Sequence, residues 1–111
     1  MIDQVRPTDL DAWLAAQGGN GLVLDVREAP ELRAASVAPA GFEVVAIPMN
    51  EIPARLAELD ADRPVACLCH HGARSQRVAM FLAHNGFEHV ANIVGGIDAW
   101  SLERDCAVPR Y

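Results

Sequence analysis

The stretch Pro64-Val65-Ala66-Cys67-Leu68-Cys69-His70-His71-Gly72-Ala73-Arg74-Ser75 constrains this chain more than any other. Its first five residues form a short apolar run of the kind that fills a parallel strand covered on both faces. Beyond it Val78, Phe81, Leu82 and Asn85 stand at i, i+3, i+4 and i+7, a helical period, and Gly86 occupies the place of a left-handed C-terminal cap. Strand, tight loop and helix therefore follow one another, with Cys69 at the turning point. In that arrangement the backbone N–H groups of His70 to Ser75 curl around one point, and the positive end of the helix dipole faces it. Both features favour the thiolate, which is the reactive form of cysteine.

The same loop reads as an anion site. Arg74 falls in the first helical turn, where a cation opposes the dipole, so a negative group is expected close by. His70, His71, Arg74 and Arg77 form the densest cationic cluster in a chain of net charge -6. A local field opposite in sign to the global one suits a small anionic substrate better than an acidic macromolecule. Gly72 supplies a positive φ or close packing within the loop. Ser75 either caps the helix or supports the thiolate; no general base accompanies it, so it is not read as a nucleophile. Cys67, two residues back along the strand, points into packing, and a Cys67–Cys69 disulfide would strain the geometry such a bond needs. Cys67, Cys69, His70 and His71 have the ligand types of a zinc site but not its spacing, so no metal is expected. Cys106 reads as a tail residue, with a resolving thiol as the alternative.

Cys69-His70-His71-Gly72-Ala73-Arg74-Ser75 resembles the active-site loop of the rhodanese-like sulfurtransferases. Asp25-Val26-Arg27-Glu28 resembles the first signature of that family, and Gly95-Gly96-Ile97-Asp98-Ala99-Trp100 its closing one. The three lie in the family's order and span nearly the whole chain. The resemblance implies a Cys69 persulfide that passes sulfur from a donor such as thiosulfate to cyanide, a cellular thiol or a reduced thioredoxin-like protein, with no organic cofactor. Gly72, Ala73, Arg74, Ser75 and the two histidines are then the substrate-binding loop, while Asp25 and Arg27 support it through hydrogen bonds and a charge pair. The chain departs from the family over residues 35–42, where the usual Gly-His-Ile-Pro-Gly-Ala-like turn is reduced to fragments such as Pro39 and Gly41 and the histidine is missing.

At 111 residues one domain is expected, spanning 1–111. Hydrophobic residues at 51% are ordinary for a globular chain, so neither disulfide nor metal is needed for folding. An odd cysteine count without framework spacing suits a reducing compartment, and cytoplasmic is the expectation. Met1-Ile2-Asp3-Gln4 offers neither a basic n-region nor a long apolar stretch, so neither signal peptide nor membrane span is predicted. A pI near 5.0 without basic tracts argues against nucleic acid.

Strand patterns at 4–5, 22–26, 43–47, 64–68 and 90–94 alternate with helical patterns at 8–17, 28–35 and 50–59, from the turn that holds Arg74 to Asn85, and at 97–102. That order predicts an α/β fold: about five mainly parallel strands with helices on both faces. Trp13 and Trp100 are assigned to the core, the helix after Asn50 is drawn as a continuous amphipathic one, and the tail to Tyr111 carries no reading. Two rivals stand beside the sulfurtransferase. One is a phosphatase or arsenate reductase of the same fold, whose Cys…Arg loop is one residue longer than the four residues between Cys69 and Arg74. The other is a non-catalytic rhodanese-like binding or regulatory module, a class that typically lacks the cysteine.

Overall fold

The computed structural model describes residues 2–111. Five four-residue strands, β1 (Ile2–Val5), β2 (Leu22–Asp25), β3 (Glu43–Ala46), β4 (Val65–Leu68) and β5 (Val90–Ile93), form one sheet in the order β1-β5-β4-β2-β3. Every pairing is parallel. The central strands β2, β4 and β5 are buried along their whole length, as a near-continuous apolar composition dictates for a sheet covered on both faces. Alternate side chains divide between two cores. Val23, Ala66, Leu68, Ala91 and Ile93 pack on one face with Leu10, Leu14, Ile97 and Trp100. Leu22, Leu24, Cys67 and Val90 pack on the other with Ile52, Val78, Ala79 and Leu82. Cys67 and Cys69, two residues apart, share that second face.

The helices are α1 (Leu10–Ala16), α2 (Ala29–Ala34), α3 (Ile52–Arg55), α4 (Ala73–His84) and α5 (Gly96–Glu103). Gly86, at φ 92°, takes the left-handed turn expected after α4. Two helical predictions are corrected. The segment after Asn50 is not one amphipathic helix: α3 has four residues and lies between 3₁₀ turns at Met49–Glu51 and Leu56–Glu58. Pro53 in the first turn of α3 has no N–H to donate back to the preceding turn, which separates α3 from the 3₁₀ turn before it, and no side-chain cap closes the start of either element. Similarly Pro7 opens a 3₁₀ turn at Pro7–Asp9, and α1 starts only at Leu10. Trp100 is buried as expected, whereas Trp13 is half-buried and donates its indole N–H to Asp3 at 2.8 Å. Among the described residues, no helix is long and apolar enough to cross a membrane.

The C-terminal ends of β2 and β4 lie side by side: Asp25 pairs with Leu68, and the Val26 N–H donates to the Leu68 carbonyl at 2.9 Å. The residues following these strands therefore emerge together at one sheet edge, where open α/β sheets place their sites.

Candidate active site

Cys69 leaves the end of β4, and the chain turns through Gly72 into the twelve-residue α4. Gly72 has φ 108°, a conformation that glycine adopts without steric cost, and a Cβ there would press on the Gly95 amide nitrogen at 3.3 Å. This turn brings the Gly72 N–H to 3.0 Å from Cys69 Sγ, to which it donates. Of the loop amides expected to converge, Gly72 is the one that bonds the sulfur. The Ser75 hydroxyl lies 3.2 Å from the same sulfur. Cys69 and Ser75 are both buried, and the hydroxyl donates to Asn92 Oδ1 of β5 at 2.5 Å.

Gly95 and Gly96 do more than turn the chain. Gly96, at φ 60°, packs against the backbone of Cys69 and His70 so closely that a Cβ would collide with both carbonyl groups. That approach lets the start of α5 hold the loop: the Ile97 N–H donates to the Cys69 carbonyl at 2.8 Å, and the Asp98 N–H to that of His70 at 3.2 Å. These helix-terminal donors would otherwise lack partners.

The negative group expected near Arg74 belongs to the protein itself. Arg74 makes a two-pronged ion pair with Glu31 of α2, each N–H···O contact measuring 2.7 Å. Arg74 therefore does not stand as a free cation facing solvent. The Arg74 guanidinium holds the Glu31 carboxyl down at about 2, against the opposing effect of burial, and the Tyr111 hydroxyl assists by donating to it at 2.7 Å. Tyr111, in a tail that carries no sequence motif, thus reaches the loop. Its ring stacks on His70 at a centroid distance of 4.0 Å and 8°, and His70 stacks on His71 on its other side at 4.0 Å. His70 Nε2 is buried without a hydrogen-bond partner.

Asp25 and Arg27 form a fully buried pair at 2.7 Å. They brace α2 and the tail more directly than the cysteine loop. Arg27 donates to the carbonyls of Glu31 at 3.2 Å and Ala35 at 2.8 Å, and to the Tyr111 hydroxyl at 3.0 Å. Glu28 and Glu31 add a reciprocal capping box at the start of α2. Cys67 is buried in the second core, and burial pushes its thiol well above the ordinary range, while Cys106 is exposed. In the divergent segment, Ala35, Val37 and Phe42 are buried in the first core. Ala38, Pro39 and Ala40 line a cavity of about 500 Å³ with Trp100 and Arg104, none of them in the cysteine loop.

Residues 7–103 match the Rhodanese-like domain family. The chain belongs to the rhodanese-like family. It is 35% identical over 101 residues to a sulfurtransferase of Allochromatium vinosum, covering 91% of this chain and 90% of that protein. It is also 35% identical over 89 residues to thiosulfate sulfurtransferase GlpE of Actinobacillus succinogenes, covering 80% and 77%. These relatives support a transferase of the rhodanese family. A rhodanese-like/PpiC domain-containing protein of Arabidopsis thaliana is 38% identical, and there the chain spans 30% of the relative's length. A rhodanese-related protein of Thermoplasma volcanium superposes with TM-score 0.76 at 32% identity, covering 92% of this chain and 93% of that one. Asn92, Glu31 and Tyr111 escaped the sequence reading. Asn92 alone left a signal: it is the one polar residue in the apolar run Val90-Ala91-Asn92-Ile93-Val94.

Proposed function

We propose that this rhodanese-family protein is a sulfurtransferase that carries sulfane sulfur on Cys69. The observation that carries the reading is the Cys69 sulfur, which follows β4 at the C-terminal sheet edge and accepts the Gly72 N–H at the head of α4. In the first step the Cys69 thiolate attacks the outer sulfur of a donor such as thiosulfate. A Cys69 S–S bond forms, the donor S–S bond breaks, and sulfite leaves with the electron pair. The Gly72 N–H and the α4 dipole favour the anionic sulfur before and after this step. In the second step cyanide or a thiolate, free or on a thioredoxin-like protein, attacks the outer sulfur, and Cys69 leaves as thiolate. A cytoplasmic setting agrees with the free thiols.

The short loop supports sulfur transfer over phosphoryl chemistry. With four residues between Cys69 and Arg74, and Cys69 only 1% exposed, the site suits the approach of one added sulfur atom better than a phosphate ester. The test is intact mass after thiosulfate treatment, with peptide mapping, beside turnover of thiosulfate and para-nitrophenyl phosphate. One sulfur is expected on Cys69 and none in Cys69→Ser, with Cys67→Ser and Cys106→Ser keeping most transfer activity. Sulfur transfer surviving in Cys69→Ser would sink the mechanism, and phosphate ester hydrolysis rivalling thiosulfate turnover would move the protein to the phosphatase class.

A further inference from the structure

We infer that Asn92 is a positioning residue that sets the proton on Cys69, acting through Ser75. Asn92 is buried in β5, and its orientation is fixed by what its Nδ2 touches: it donates to the Gly72 carbonyl at 3.3 Å and to Gln4 Oε1 at 3.1 Å. Both partners are acceptors, so Oδ1 must point at Ser75. An amide oxygen can only accept, and Ser75 has a single hydroxyl proton. That proton is committed to Asn92 at 2.5 Å, so Ser75 Oγ meets Cys69 Sγ, 3.2 Å away, as an acceptor. The bond between them then requires the proton on sulfur.

When Cys69 ionises, its proton passes to a base in solution and the Ser75 O–H turns from Asn92 to the thiolate. Asn92 Oδ1 is then left without its donor in a buried setting, which is costly. Asn92 therefore favours the thiol, against the Gly72 N–H, which serves sulfur in either state. The charged surroundings of Cys69 do not depend on Asn92. On its own strand and loop stand Cys67, kept neutral by burial, and the two histidines. Arg74 of α4 is neutralised by Glu31 of α2, which also takes the Tyr111 hydroxyl. Asp98 of α5 is paired with Arg110, and Asp25 with Arg27.

The inference rests on the reading of Cys69 as the nucleophile, but its test needs no turnover. In a Cys106→Ser background, iodoacetamide alkylation of Cys69 is followed by mass spectrometry as a function of pH. Asn92→Leu frees the Ser75 hydroxyl for the thiolate and is expected to lower the pH of half-maximal reactivity by about one unit, a tenfold change in thiolate fraction at lower pH. In a Ser75→Ala background the same substitution is expected to cause no shift. An unchanged or raised midpoint in folded Asn92→Leu, or an equal fall without Ser75, overturns the inference. Should Asn92→Leu fail to fold by circular dichroism, Asn92→Ala is read by the same criteria. A lowered midpoint in a protein that transfers no sulfur would leave this inference standing and remove the proposed function.

Discussion

Glu31→Gln tests what Arg74 is for. The two 2.7 Å contacts occupy the Nη1–Nη2 edge of the guanidinium, one of the edges that can hold an anion by two bonds, and the amide variant keeps the size and one acceptor while removing the charge. Side-chain exposures of 32% for Arg74 and 21% for Glu31 place the pair near the surface, where a contact ion pair has about 4 kcal/mol of gross attraction before desolvation and side-chain ordering. After those costs about 1 to 2 kcal/mol should remain, and an incoming dianion has to compete with it. The KM for thiosulfate in Glu31→Gln should therefore fall about tenfold with kcat little changed, and its dependence on ionic strength should steepen. Arg74→Ala should instead lose thiosulfate use by roughly ten- to a hundredfold. Glu31 is held at about 2, below its ordinary 4.5, so it stays ionised at neutral pH. Its contribution to stability is present above the ordinary value and is lost as the pH falls through about 2. Initial rates of thiosulfate:cyanide transfer, with a melting curve to certify the fold, decide the matter. A KM unchanged or raised in folded Glu31→Gln would show that the pair is a structural tie and that the anion is held elsewhere.

Two further substitutions probe the supports of the loop. Gly96→Ala should cost about 2 to 4 kcal/mol, combining a positive φ with a Cβ driven into the carbonyls of Cys69 and His70, and a melting temperature close to that of the unsubstituted protein would refute the packing argument. Tyr111→Phe keeps the stack on His70 but loses the hydroxyl contacts to Arg27 and Glu31, which should cost about 1 kcal/mol, or about 4 °C in melting temperature. If Tyr111→Phe melts like the original and Tyr111→Ala does not, the stack rather than the hydroxyl holds the tail.

The sheet was legible because its signals are local. The three central strands are buried along their whole length and apolar but for Asp25 and Asn92, the near-continuous pattern expected of strands in a sheet covered on both faces. The α4 boundaries were legible for the same reason, since period, loop glycine and cap glycine all lie within a few residues of the helix. The broken segment 49–58 was harder: Ile52, Leu56 and Leu59 keep a helical spacing although the backbone between them changes type, so periodicity alone overstates continuity. Arg74 illustrates the larger gap. Its position in the first turn does announce a nearby anion, but nothing in the order of residues says that the anion is Glu31, 43 positions away, and not a substrate. Tyr111 meets His70 only because the tail returns along the folded surface, a contact with no local trace.

The three signatures are separate in sequence because the loop is held from three directions. The closing one supplies the α5 amides that fix the carbonyls of Cys69 and His70. The first supplies Arg27, which never touches the cysteine; its guanidinium gathers Asp25, the Glu31 and Ala35 carbonyls and the Tyr111 hydroxyl. What Arg27 positions is α2, and α2 carries the carboxylate that holds Arg74. Lysine retains the charge but not the planar fork that reaches these groups together, so an Arg27→Lys change would leave buried acceptors unmatched. Its effect should reach Arg74 through a displaced Glu31, two elements from the altered side chain. The buried Asp25–Arg27 pair is thus better understood as the anchor of an ion pair at the mouth of the site than as part of the chemistry.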